Sequence, residues 1–439
     1  MRNLGILRNV TSKSAITKTL ATIIIAIVVI AAAGAAYYFF VMTPLGCPSG
    51  SRCIAVVSDI GGRGDLSFND MGYKGGAEAE TAFGVKMIEL VSKTEADYVP
   101  NIETAAKDPG VILVVGIGFL LTDAVNQTAR KYPNQNFAII DGFVPGLPNV
   151  MSILFEEHKG SAIVGAIGAL VAAQFGYSHV GVVLGIEIPV LWKFEIGYKW
   201  GVDWAMKWYQ NKFGKTAPTI GDTPTKERVL WTYTGTFSDI TKGYEAAKAM
   251  YAQDAVAVYN VAGPLGLGLN QAVQEIATPK GLKQGPPYWV GVDANQDWIN
   301  PGFVLVSMMK RVDRGVYFAT QLAVDGKFRE VVSQNKGAVT LGIGTTISGY
   351  AITGISVSTL DDLNEFVQMG IDAEKLTGKT VLPMTPEEIT AAVKSMRDSL
   401  PSWIWDAEAE LETAIQNDPT LVPLAQTQDA VDQWRATLG

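Results

Sequence analysis

The chain has 439 residues, 48% of them hydrophobic and 18% charged, with 45 glycines and 20 prolines. That mixture excludes a disordered chain or a cross-linked mini-domain and predicts a large core spread over two or three domain-sized units. A net charge of −8 argues against nucleic-acid binding, and two cysteines and two histidines exclude a disulfide scaffold and leave little for a histidine metal site.

The first predicted element is a membrane segment. No charged side chain occurs from Thr19 to Ser51, and Ala21–Met42 is apolar on every face. As a helix it spans about 33 Å, enough for a bilayer core. Arg2, Arg8, Lys13 and Lys18 precede it, and Tyr37–Phe40 would lie at an interface. This polarity predicts a cytoplasmic basic tail over 1–18, an anchor or signal segment over 19–43 and an extracytoplasmic remainder after a linker at 44–53. The length of the run favours an uncleaved anchor over a signal peptide. Cys47 is open to lipidation, or to a disulfide with Cys53 on the oxidising side of the membrane. With no acid in positions 1–46, the part beyond them carries −12 against −8 overall.

After Cys53, short β-branched runs alternate with longer amphipathic ones. Ile54–Val57, Val111–Val115, Phe137–Ile140, Val180–Leu184, Leu230–Tyr233, Val256–Val261, Tyr288–Val292 and Val304–Ser307 read as buried strands. Helical stretches lie between them, at Asp70–Gly84, Leu121–Tyr132, Gly160–Phe175, Leu191–Asn211, Ile240–Gln253, Gly266–Thr278 and Arg311–Asp325. This is the grammar of parallel α/β sheets, and the polar insertion Phe213–Glu227 favours two open doubly wound lobes over a closed barrel. The spacing of Trp200, Trp204 and Trp208 places them on one packed helix face. Beyond Gly337 the alternation fades, and Pro386–Leu400, Ala407–Asn417 and Gln426–Leu438 read as an added helical extension.

Glycine-bearing turns at Gly61, Gly214 and Gly263 lack the spacing of nucleotide-phosphate loops, and no metalloprotease, nucleophile-elbow or paired-cysteine motif is present. More telling are Asp59, Asp141 and Asp293, each directly after a predicted strand, with Tyr259-Asn260 closing another and Ser67-Phe68-Asn69 nearby. Ligands of open α/β sheets bind beyond the carboxyl ends of strands. Carboxylates that accept from hydroxyls, beside aromatic rings, suit an uncharged polyol with a flat face. No catalytic residue, metal site or cofactor is expected.

Several collinear blocks carry a resemblance. Val57-Ser58-Asp59-Ile60-Gly61-Gly62 with Ser67-Phe68-Asn69, Phe155-Glu156-Glu157-His158-Lys159-Gly160, Ile188-Pro189-Val190 with Lys193-Phe194-Glu195, Tyr233-Thr234-Gly235-Thr236-Phe237, Ala262-Gly263-Pro264-Leu265-Gly266 and Gly291-Val292-Asp293 stand in the order found in the basic membrane protein family. The chain resembles that family of substrate-binding proteins of ABC importers, which includes purine nucleoside receptors. The resemblance implies a type I periplasmic-binding-protein fold with two Rossmann-like lobes closing on a nucleoside, and an ABC permease as partner. Carried over, the lobes are 54–155 with 295–335 and 156–294, and 336–439 completes them and forms the extension. The resemblance puts Phe68 and Tyr259 on the two faces of the base, Asp59 and Asn69 on base or ribose, and Asp141 on the base edge. Asp293 then meets the ribose, Gly263 offers its backbone and Lys310 completes the wall. Competing readings are an extracytoplasmic nucleoside-processing enzyme and a sugar-binding or sensor protein on the same fold.

Overall fold

The computed structural model describes residues 46–439, so the expected anchor over 19–43 lies outside the described residues. Among the described residues no helix is long and apolar enough to cross a membrane. Cys47 and Cys53 are joined as a disulfide.

Two six-stranded sheets form the frame. The first is built from β1 (Cys53–Ser58), β2 (Lys86–Val91), β3 (Val111–Ile117), β4 (Phe137–Ile140), β5 (Val150–Phe155) and β11 (Ala338–Leu341), in the order β11-β5-β4-β3-β1-β2. The second holds β6 (His179–Leu184), β7 (Val229–Tyr233), β8 (Ala255–Val261), β9 (Tyr288–Val292), β10 (Val304–Lys310) and β14 (Ile355–Val357), in the order β14-β10-β9-β8-β6-β7. The orders are the same permutation of successive strands, so each strand of one lobe has a counterpart in the other. Pairing is parallel throughout except at β14 on β10. The central strands are buried on both faces, which is why they read as unbroken β-branched runs. By contrast β2 is an edge strand with Lys86, Glu89 and Val91 exposed, and its mixed composition hid it from the sequence.

In the first lobe the helices are α1 (Phe68–Phe83), α2 (Tyr98–Lys107) and α3 (Thr122–Lys131). After β5 the chain crosses to the second lobe as α4 (Glu157–Phe175), followed by α5 (Pro189–Phe213), α6 (Ile240–Ala252) and α7 (Gly266–Ala277). Apolar all round, α4 is buried along nearly its whole length, with α5 against it and sheet strands behind. Gly201 makes the α4–α5 crossing possible: a Cβ there would fall 1.9 Å from the carbonyl oxygen of Ala162.

After β10 the chain returns as α8 (Val312–Val324), which packs on α1, and α9 (Phe328–Gln334) leads to β11. Because Val304–Lys310 pairs with β9 of the second sheet, the return into the first lobe comes after Lys310, not at 295. The third crossing runs from β11 through the antiparallel pair β12 (Thr345–Ile347) and β13 (Tyr350–Ile352) to β14. Beyond it lie α10 (Leu360–Thr377), α11 (Pro386–Ser399), α12 (Ser402–Asn417) and α13 (Gln428–Leu438). Of these, α12 packs on α4 and α13 on α5. The tryptophan face of α5 meets this extension: Trp208 stacks 6.4 Å from Trp403, and its Nε1 donates to Glu410 at 2.7 Å.

Candidate functional site

The carboxyl ends of both sheets face a shared cavity between the two lobes. From the first lobe it is lined by Asp59 after β1, Phe68 and Asn69 at the start of α1, Gly118 and Phe119 after β3, and Asp141 after β4. The second lobe contributes Ile188, Val190, Leu191 and Phe194 around the start of α5, Phe237, the Val261–Pro264 turn, Asp293 after β9 and Lys310 at the end of β10.

Local chemistry fixes each wall. The buried carboxylate of Asp65 accepts from the backbone N–H groups of Ser67, Asn69 and Asp70 at 3.0, 2.8 and 3.0 Å, pinning the first turn of α1. The Asn69 amide nitrogen donates to Asp59 at 2.9 Å and to Asp65 at 3.3 Å, which turns its Oδ1 away as an acceptor. That Oδ1 is buried without a partner among the described residues, as is Oδ1 of Asp141. At Gly118, with φ of +113°, a Cβ would lie 2.8 Å from Asp59 Oδ2 and 3.3 Å from the Phe68 ring. Glycine there lets β3 end flush with the cavity.

Asp141 and Asp293 occupy equivalent places in the two lobes and share a φ of +66°. Lys310 stands between them. Its Nζ lies 2.6 Å from Asp141 and 3.0 Å from Glu157, with the rings of Phe68, Phe155 and Phe194 within 5.2, 5.2 and 5.5 Å. Glu157 also pairs with Lys193. Burial pushes Glu157 upward, but Lys193 and Lys310 outweigh it and hold the group below the usual carboxylate range. Burial likewise disfavours the charged form of Lys310, and Asp141, Glu157 and Asp293 more than offset this. Asp293 is pushed up to about 7 by burial, against the pull of Lys310 and of the Ser67 hydroxyl, which donates to it at 2.9 Å. Asp59 is raised for the same reason, with Asn69 and Gly61 opposing. With Asp59, Asn69, Asp141 and Asp293 each no more than 9% exposed, the cleft stands closed.

Seven of the eight residues singled out from sequence line this cavity: Asp59, Phe68, Asn69, Asp141, Gly263, Asp293 and Lys310. Tyr259 does not. It points to the same face of β8 as Val261 but sits two residues deeper, so its ring packs 5.3 Å from Tyr198 inside the second lobe and its hydroxyl meets Ser161 at 3.4 Å. Leu191, Phe194 and Phe237 form the apolar wall instead. No single-residue signal marked them; the collinear blocks around Ile188–Glu195 and Tyr233–Phe237 did.

Comparison with known proteins decides what such a cleft belongs to. Residues 53–210 and 220–351 match the model of the Bmp family, the PnrA-like ABC transporter substrate-binding proteins. This chain belongs to that family. It is 35% identical over 382 residues to an uncharacterized lipoprotein of Pyrococcus horikoshii, covering 87% of this chain and 86% of that one. It is 29% identical over 312 residues to the ABC transporter nucleoside-binding protein BmpA of Lactococcus lactis, covering 67% and 82%. A solved ABC transporter solute-binding protein from Aeropyrum pernix superposes with a TM-score of 0.72 at 30% identity, over 87% of this chain and 96% of that one. The protein is thus an ABC transporter solute-binding protein with two parallel α/β lobes. A family of binding proteins for transporters implies a small-molecule ligand and a permease partner, and its members are not enzymes.

Proposed function

We propose that the cleft captures a nucleoside, with a purine base, and presents it to the permease. The observation that carries this reading is the pairing of unpartnered buried acceptors, Asn69 Oδ1 and Asp141 Oδ1, with the Phe68 ring and an apolar opposite wall. Such a lining suits an uncharged ligand that is rich in donors and has a flat face. Ribose hydroxyls and base N–H groups supply the donors, and a stacked base contributes on the order of 1–3 kcal/mol. In this reading Phe68 covers one face of the base and the Leu191, Phe194 and Phe237 wall the other. Asp59, Asn69 and Asp141 meet donors from the first lobe, Asp293 takes the ribose hydroxyls, Gly263 offers its backbone N–H, and Lys310 fixes Asp141. The nucleoside-binding relative from Lactococcus lactis supports the assignment.

We further propose that the apolar run at Ala21–Met42 tethers the protein, with the lobes outside the cell. The disulfide between Cys47 and Cys53 suits an oxidising location, and the relatives named as lipoproteins support a membrane-associated one. Mass spectrometry of small molecules released from natively purified protein tests the ligand. A nucleoside at about one per chain is expected; a free sugar in its place would favour the alternative of a sugar receptor.

A further inference from the structure

The C-terminal helices are fixed to the second lobe. Besides the packing of α12 on α4 and α13 on α5, Arg397 of α11 reaches Asp297 at 2.7 Å. At the N-terminal end of α10, Asn295 donates to Asp362 at 2.5 Å, and Gly370 lies against Trp298. Asn295, Asp297 and Trp298 all belong to the segment directly after β9, so α10 is carried by the lobe that supplies Asp293.

The opposite face of α10 crosses to the first lobe. Glu365 lies 2.5 Å from Lys74 of α1, 3.8 Å from Arg314 of α8 and 3.5 Å from Arg311 at the second crossing. Lys74 also pairs with the fully buried Asp313 at 3.0 Å and with Glu78. Arg314 bonds Glu78 at 3.2 Å, and Arg311 holds Asp313 through two bonds of 2.9 and 2.7 Å. Every member of this network except Glu365 lies in the first lobe or at the crossing. Past Glu365 the helices part, leaving a groove lined by Tyr73, Ala77 and Thr81 on one side and Gln368, Met369 and Asp372 on the other. A side chain anchored to one lobe and paired with groups of the other changes partners when the lobes rotate, and opening by rigid rotation would pull Glu365 away from Lys74 and Arg314.

We infer that the C-terminal extension is a closure latch: α10, riding on the second lobe, uses Glu365 to hold the first lobe in the closed position. Its contribution is that of a partly exposed ion-pair node, and it acts on the open-to-closed balance without touching the cavity. The ligand's identity plays no part in it. The test therefore uses ligand-free protein, with spin labels at Lys107→Cys on the first lobe and Lys280→Cys on the second, both exposed positions. Double electron–electron resonance reads the interlobe distances. Intact protein is expected to show a closed population, and Glu365→Gln and Glu365→Ala should each raise the open-to-closed ratio about two- to five-fold. High salt should do the same to the intact protein and little to the variants. A ligand-free distribution with no closed component, or one that neither substitution shifts, would overturn the latch. Failure of nucleoside binding would leave this result unaffected.

Discussion

The two lobes are built on one strand order, yet their cleft faces differ in kind. The first presents Asp59, Asn69 and Asp141 around the rings of Phe68 and Phe119, whereas the second presents Leu191, Phe194, Phe237, Val261 and Pro264, with Asp293 and Lys310 near the crossing strands. Equivalent backbone positions carry unlike side chains: Asp59 follows β1 where Gly185 follows β6, while Asp141 and Asp293 alone match. The shared scaffold places strand ends opposite each other, and the side chains then divide the work. One wall offers hydrogen-bond acceptors that specify a ligand, and the other offers apolar surface that rewards closure.

Substitutions that break this division should differ in size. The largest effect is expected from Lys310→Met, which leaves Asp141, Glu157 and Asp293 without the cation between them. Removing one partner from a buried charge cluster costs about 3–5 kcal/mol, so the thermal midpoint should fall by many degrees; an unchanged melting curve would deny Lys310 its place between the lobes. Next comes Asp293→Ala, which in calorimetry should weaken nucleoside binding about 10- to 100-fold while the fold persists. Phe68→Ala should cost about ten-fold in affinity, and Tyr259→Phe, which alters only the second lobe's interior, should stay within about two-fold. Should Tyr259→Phe prove as harmful as Phe68→Ala, the apolar wall has been assigned to the wrong side chains.

The carboxylate wall also makes a claim about pH. Asp293, raised to about 7 by burial, accepts from ligand hydroxyls most strongly, and at both oxygens, when ionised, so affinity should fall as pH drops through 7 and binding near that pH should release protons. Stability runs the other way. The native state holds this proton over a range where the unfolded chain has lost it, so ionised Asp293 lowers stability above pH 7 and the cost fades toward pH 4. Asp293→Asn should therefore raise the thermal midpoint at pH 8 and change it little at pH 4, even as it weakens binding.

Much of the site was legible because strand ends are legible. A β-branched run that stops at Asp59, Asp141 or Asp293 declares both the strand and the place of the carboxylate. Depth was not legible: Tyr259 and Val261 share a face of β8, and nothing in the local pattern says which of them reaches the cavity. Nor was sheet membership, since Val304–Lys310 reads the same whichever lobe it joins. The reach of the C-terminal helices was also hidden, because a half-exposed Glu365 looks like any solvated glutamate until Lys74 and Arg314 arrive beside it.

The central claim, that an acceptor-rich wall and an apolar wall close on a neutral nucleoside, is tested most directly by calorimetric titration of the intact protein at pH 8. Inosine and adenosine would be compared with their 5′-monophosphates and with arabinose. One-to-one binding of at least one nucleoside, with its monophosphate much weaker against the carboxylates, is the predicted result. Binding of arabinose but of neither nucleoside, or equal affinity for the monophosphates, would contradict it.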